Sequence, residues 1–511
     1  MSTPISSHPA LPVKHLEPAL WAKANRHLIR KALCEFSHEQ VFTPTLVGEV
    51  DASGWAYYHV EADQKGQQYR FTAKPMALRH WNIKADSIGY YVNDIESETP
   101  LDALSFIINF KNILGIASDK LPVYLDEISS TLFGSAYKQA SESLPSADLV
   151  NANYQDFEAA MTEGHPGFVA NNGRLGFNTY DYRAYAPETG SAFRIIWLAV
   201  HKDNAEFSID SDFDYHSFML NELGESTLAQ FNKRLDELEV NREDYFFMPA
   251  HPWQWHNKIG IMFSADIANR KIIPLEESKD EYSAQQSIRT YFNLSVSERC
   301  YVKTSLSILN MGFMRGLSPY YMQGTPAINS YLDQLIKGDS VLQSYRFSIL
   351  KEVASIGYRN RYYEAALDAD NPCKKMLSAL WRESPIPTLE SNETLMTMAG
   401  LLHIDNQGTA LIAELIKAST LTAEQWMANY LSAFLQPMLH CFYAHDLVFM
   451  PHCENLILVM ENHVVTRVIM KDIAEESAIL NIDKKLPKKI ARLVVEVPHE
   501  YKILGIFIDI F

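Results

Sequence analysis

At 511 residues the chain is too long for one hydrophobic core, so it should divide into roughly two to four domains. With 47% hydrophobic and 21% charged residues it is no disordered chain, and a formal charge of −17 excludes a general nucleic-acid or anionic-membrane surface. Five cysteines without a C-x-x-C pair argue against a disulfide framework or structural zinc; the first residues lack a signal-peptide pattern, and no apolar run approaches a membrane span, so the expectation is a cytoplasmic protein.

Leu16, Leu20, Trp21, Ala24, Leu28, Ala32 and Phe36 recur at three- to four-residue spacing, which predicts an amphipathic helix with Pro18 in its first turn. Aromatic and β-branched runs between Val50 and Phe71 predict a small sheet. Thr99-Pro100 is expected to open a second helix bearing Leu101, Leu104, Ile107, Ile108 and Leu114 on one side. The Gly- and Pro-rich stretch from Glu163 through His165 to Gly176 is expected to be an irregular loop that brings backbone close to a ligand, although a lone loop histidine is more often structural. A strand is expected over Phe193 to Val200. The run Tyr245 to Met248 leads into Pro249-Ala250-His251-Pro252-Trp253-Gln254-Trp255-His256, which cannot be a regular helix and is read as a rigid, aromatic-walled turn, and the two histidines lack the i, i+4 spacing of a helical zinc pair.

Ser287, Arg289 and Thr290 form a polar cluster, and Tyr301 to Ile308 alternates as a half-buried strand with Lys303, Ser305 and Ser307 on one face. In an acidic chain, Arg289, Lys303 and Arg315 at a strand and its exits make a candidate phosphate clamp; ordinary surface charge is the bland reading. Thr422 with Gln425 is a capping box that opens a helix through Trp426, Tyr430, Phe434 and Met438. Two apolar runs, Leu456 to Met460 and Val464 to Met470, joined at Glu461-Asn462-His463, predict a hairpin whose open end gathers His452, Asn455 and Asp472. Amide and carboxylate oxygens suit a hard cation such as Mg2+, and the imidazole suits a phosphate.

Taken in order, Gly164-His165-Pro166, His251-Pro252-Trp253-Gln254, Ser287-x-Arg289-Thr290, Lys303-Thr304-Ser305, Arg315 and His452-x-x-Asn455 with Asp472 resemble the NRPS-independent siderophore synthetases of the IucA/IucC type, most of all their desferrioxamine-like branch. The resemblance implies an α+β cupped hand with a thumb (1–163), fingers (164–385) and a largely helical palm (386–511). It implies ATP and Mg2+, adenylation of a succinyl-hydroxamate carboxylate, condensation with the amine of an N-hydroxy-N-succinyl-diamine of the cadaverine or putrescine type, macrocyclisation, and a homodimer. Arg289, Lys303, Arg315 and His452 would bind the triphosphate, Ser287 and Thr290 would hydrogen-bond it, Asn455 and Asp472 would hold Mg2+, and His165 would orient the carboxylate. Some relatives carry Glu where this chain has Met450, and the chain stops at the apolar run 505–511, where the family's palm continues; that end is expected to be buried or to have continued. The alternatives are an aerobactin-type enzyme acting on citrate or another carboxylate, a small-molecule kinase built on His445-Asp446, Asn455 and Asp472, and a member of the family that binds without turnover.

Overall fold

A computed structural model describes residues 8–141, 144–498 and 501; the terminal run 505–511 lies outside them. The chain forms two compact units: one contains residues 1–143, 162–180 and 309–313, and the other contains 144–161, 181–308 and 314–511. The segment 144–161 thus groups with the larger unit, and the loop around His165 with the smaller one.

In the smaller unit the periodic apolar residues form the helix Pro18–His38, which buries Ala24, Leu28, Ile29, Ala32 and Leu33. It packs beside the helix Leu121–Ala140. The sheet expected near 50–71 is present as antiparallel strands, chiefly Ala56–Glu61, Gln67–Pro75 and Gly89–Val92. The helix expected from Thr99-Pro100 is shorter than its apolar pattern. It runs Ala103–Asn109, because Asp102 accepts hydrogen bonds from the Leu104 and Ser105 N–H groups and so fixes the start. Leu114 lies beyond its end, and Ile108 is exposed.

The larger unit has two principal cores. One is centred on Trp197, Trp381, Tyr291 and Phe231 and joins the three-stranded sheet of Ile196–His201, Tyr245–Ala250 and Ile272–Glu277 to a six-stranded sheet. The strand expected from Phe193 therefore starts at Ile196, while Phe193 only bridges to Tyr282. In the six-stranded sheet Tyr301–Thr304 lies between Thr290–Asn293 and Ser378–Arg382. The half-buried strand to Ile308 is corrected on two counts: it stops at Thr304, and all four of its residues are buried, since the sheet has neighbours on both faces.

The apolar run forms the strand Tyr245–Ala250, which takes in Pro249 and Ala250, and the rest of the segment read as a rigid turn is short helical turns, Pro252–Gln254 and Trp255–Ile259. Pro252 is tolerated at the first helical position, and His251 caps the turn, its Nδ1 accepting from the Trp253 N–H at 3.0 Å.

The second core packs the helix Ala423–His445 on a sheet of Ser348–Ile349, Val464–Met470, Leu456–Glu461 and Glu393–Thr397. Thr422 and Gln425 form the expected capping box. The hairpin is present with its turn at Asn462 and His463, both at positive φ (49° and 64°), the backbone whose twist matches paired strands. The Trp426 indole donates to the His463 carbonyl at 2.9 Å, fixing the hairpin tip to the first turn of the helix. The fold is thus α+β with chiefly antiparallel sheets, and no helix among the described residues is long and apolar enough to cross a membrane.

Candidate functional site

The predicted cations and the open end of the hairpin meet in the larger unit. Lys303 projects from the middle of its sheet with only 3% of its side chain exposed, and its Nζ donates to Asp472 Oδ1 at 2.6 Å and to Glu475 Oε2 at 3.3 Å. Arg289 lies 3.6 Å from Glu475 and donates to the Gly316 carbonyl at 2.5 Å. Glycine is required at 316, because a Cβ there would lie 2.8 Å from the Lys375 carbonyl oxygen. On the hairpin side, Asn455 donates to the Met450 carbonyl at 3.1 Å and to the Glu476 carboxylate, while His452 Nε2 lies 3.6 Å from Glu476. Ser287 Oγ donates to Thr290 Oγ1 at 3.0 Å, across a backbone that turns at Ile288 with φ 56°.

Arg382 belongs to this cluster and was missed in the sequence. It is 3% exposed at the end of Ser378–Arg382, bonds to Asp472, and lies 3.3 Å from Glu352 Oε1. Its signal was a lone charge closing an apolar strand, Ala379-Leu380-Trp381-Arg382. The Gln254 of the Pro-Trp-Gln turn was read for its neighbours rather than for itself. Its amide donates to Ser307 Oγ at 3.0 Å and accepts from the Ser307 N–H at 2.8 Å, bracing the chain just after Lys303.

The electrostatics follow from burying opposite charges together. Burial works against the Lys303 ammonium, but Asp472 and Glu475 outweigh it and raise its pKa. Burial would also raise Asp472, yet Arg382 and Lys303 hold its carboxyl well below the usual range, and Lys303 and Arg289 likewise lower Glu475. Arg315 has no such surplus of acid: burial, with Arg289 nearby, brings it down to about 10. Burial opposes the charged form of His452, but Glu476, Glu454 and Asp472 raise it. Ser287, Thr290, Arg382, Asn455 and Asp472 line a cavity of about 40 Å³ together with Glu158, a buried carboxyl whose pKa burial raises.

The oxygens at the hairpin fit a hard cation. Asn455 spends its amide N–H groups on Met450 and Glu476, and its Oδ1 takes no hydrogen bond among the described residues. Asp472 commits Oδ1 to Lys303 and Arg382. Glu476 supplies a further carboxylate at this end of the hairpin, against Asn455 and His452.

His165 lies in the smaller unit, its ring 4.9 Å from that of Phe168 and its carbonyl accepting from Asn171 at 3.4 Å. Just before it, Glu163 binds His27 at 2.5 Å and Lys31 at 2.9 Å. The kinase-like reading finds no support in His445-Asp446: His445 bonds to Asp339 at 2.8 Å, and Asp446 ends the helix at φ 53° while accepting from Asn481 at 2.9 Å.

The chain is similar to known proteins over most of its length. Residues 153–403 match the IucA / IucC family, and residues 424–511 match the family described as ferric iron reductase FhuF-like transporter. The putrebactin synthase of Shewanella sp. (strain MR-4) is 50% identical over 506 residues, 99% of this chain and 79% of that protein. The aerobactin synthetase IucC from a hypervirulent pathotype of Klebsiella pneumoniae superposes with a TM-score of 0.83 at 26% identity, over 96% of this chain and 85% of that one. The petrobactin biosynthesis protein AsbB from Bacillus anthracis str. Sterne gives 0.81 at 26% identity, over 92% and 76%. Near-full-length identity of one half to a synthase, on the shared fold, leaves one assignment: the chain belongs to the IucA/IucC family of siderophore synthetases.

Proposed function

We propose that the chain is an ATP-dependent ligase that adenylates the carboxylate of a succinyl-hydroxamate and passes the acyl group to the amine of an N-hydroxy-N-succinyl-diamine, of the cadaverine or putrescine type, then oligomerises and closes the ring. The observation that carries the reading is the buried cluster of Arg289, Lys303 and Arg382 against Asp472 and Glu475, in a chain half identical to putrebactin synthase. A carboxylate does not react with an amine at neutral pH until its oxygen is converted to a leaving group, and a nucleoside triphosphate does this in one step. The carboxylate oxygen attacks the α-phosphorus and pyrophosphate leaves; the amine nitrogen then attacks the acyl carbon and AMP leaves, with one proton lost from the amine.

Arg289, Lys303, Arg315 and His452 hold the triphosphate and stabilise the charge that grows at the α-phosphorus. Ser287 and Thr290 donate to phosphate oxygens. Glu476 favours the charged form of His452 against the cost of burial, and in that form the imidazole is a positive donor to phosphate. Asn455 and Asp472 hold Mg2+, which when bound neutralises phosphate charge. His165 orients the acyl carboxylate. The division into thumb, fingers and palm at 163 and 385, the homodimer and the cytoplasmic setting belong to the same proposal.

The test is product analysis with ATP, Mg2+ and succinylated N-hydroxy-putrescine or N-hydroxy-cadaverine. Pyrophosphate, AMP and a cyclic hydroxamate are expected. ADP as the sole nucleotide product would overturn the adenylation step, and turnover only with citrate would move the chain to the aerobactin-type reading.

A further inference from the structure

Away from the cation cluster, two elements of the larger unit converge on a single oxygen. Asp339 caps the short helix Ser340–Ser344, its Oδ1 accepting from the Val341 N–H at 2.8 Å and the Leu342 N–H at 3.0 Å. Its other oxygen, Oδ2, receives His440 Nε2 at 2.9 Å and His445 Nε2 at 2.8 Å, both from the last turns of Ala423–His445. The three potential ligand atoms all lie within 4.8 Å of one another. The side chains are 14%, 25% and 23% exposed, shielded from bulk water yet reachable from it.

We propose that Asp339, His440 and His445 form a binding site for one divalent transition cation of the zinc type, which ties the helix Ser340–Ser344 to the end of Ala423–His445. Two imidazole nitrogens and one carboxylate oxygen are a donor set suited to such an ion, and three protein ligands leave a fourth position for water. Ligands about 2.0–2.1 Å from a tetrahedral ion stand about 3.3 Å apart, so the observed spacings of 2.8 and 2.9 Å need to open by only about half an ångström. The capping bonds to Val341 and Leu342 hold the carboxylate by the oxygen that the ion does not need, the kind of outer support that orients metal ligands. Binding exchanges two N–H···O hydrogen bonds for two N–metal bonds: each Nε2 proton either moves to Nδ1 or, from a protonated ring, leaves to solvent, and no electron changes hands. The site is independent of the synthetase reaction, so failure of either reading leaves the other standing.

The experiment uses the full chain, stripped with a chelator and titrated with Co2+ as a spectroscopic probe. One equivalent should produce a visible absorption band that Zn2+ abolishes and excess Mg2+ leaves in place. His440→Gln and His445→Gln should each weaken Co2+ binding at least about tenfold, with metal-free unfolding midpoints close to the parent's. Zn2+ should raise the parent's midpoint, since a ligand that binds only the folded state stabilises it; this second readout stands even where a variant does not fold. Absence of a saturable one-equivalent band, unchanged binding in both variants, or no rise in the parent's midpoint with Zn2+ would each overturn the proposal.

Discussion

Replacing Lys303 with methionine removes one charge from the buried cluster and keeps most of the stem. The ammonium is 3% exposed and contacts two carboxylates, Asp472 at 2.6 Å and Glu475 at 3.3 Å. Breaking a buried ion pair by removing one partner costs about 3–5 kcal/mol when the other charge is left alone. Here neither acid is stranded, since Asp472 keeps Arg382 and Glu475 keeps Arg289 at 3.6 Å. The expected loss therefore falls below that range, at about 2–3 kcal/mol, read from urea denaturation at neutral pH.

The sign of its pH dependence is fixed by the two partners. Lys303 is raised in the folded state, so its contribution is complete below the unfolded lysine value of about 10.4 and fades as pH climbs through the folded one. Asp472 is depressed, so its contribution is complete above about 3.9 and is lost as pH falls. Lys303→Met should flatten both limbs, and Asp472→Asn in the same background should cost less than it does alone. Pyrophosphate release should fall by at least about tenfold, the equivalent of about 1.4 kcal/mol of transition-state stabilisation. A stability loss under about 1 kcal/mol would refute the energetic reasoning, and unchanged turnover would refute the phosphate role.

Three further outcomes rest on separate features. His251 is fully buried, and burial lowers its pKa to about 3, so the folded state resists protonation: stability should be complete above about 6.5 and decline as pH falls from there toward 3. His251→Asn, which keeps a capping acceptor for Trp253, should remove that decline in acid denaturation curves; an unaltered acid limb would show that the proton goes elsewhere. Thr422→Ala breaks the capping box of Ala423–His445 and should cost about 1 kcal/mol in chemical denaturation, while a neutral result would mean that packing alone starts the helix. Leu458→Ala empties a fully buried position in the hairpin strand and should cost about 2–5 kcal/mol, whereas a loss below about 1 kcal/mol would require the core to collapse around the gap.

What could be read from the sequence was what local chemistry writes there. The helix Pro18–His38, the Thr422–Gln425 capping box and the hairpin with its Asn462-His463 turn each carry their determinants within a few residues, and each is present. Tyr301–Thr304 was misjudged because alternation reports one covered face, while a strand with neighbours on both faces tolerates polar residues only where distant partners satisfy them. Those partners are the information that was missing: Lys303 and Asp472 stand 169 positions apart, and Arg382 and Asp472 stand 90 apart. The ordered motifs placed Lys303, Arg289, Asn455 and Asp472 in one site, but nothing local to any of them named its counterion. Arg382 was hidden for the same reason, since its strand reads as core until its two acids are seen.

Asp472 also bears on how this site can be varied. Its backbone sits at φ 61°, in the left-handed region that β-branched and bulky residues avoid and that asparagine and aspartate adopt most readily after glycine. The position therefore filters substitutions twice, once by conformation and once by charge, and an alanine there would confound the two. Asparagine alone among neutral residues preserves both the turn and an oxygen aimed by the same side-chain length, so Asp472→Asn isolates the charge, and the difference between glycine and alanine there, both uncharged, isolates the turn. A lineage that moved the anion elsewhere would have to supply a new counterion for Lys303 and Arg382 and a new turn at the exit of Val464–Met470 in the same step, which makes this corner of the fold unusually hard to drift out of.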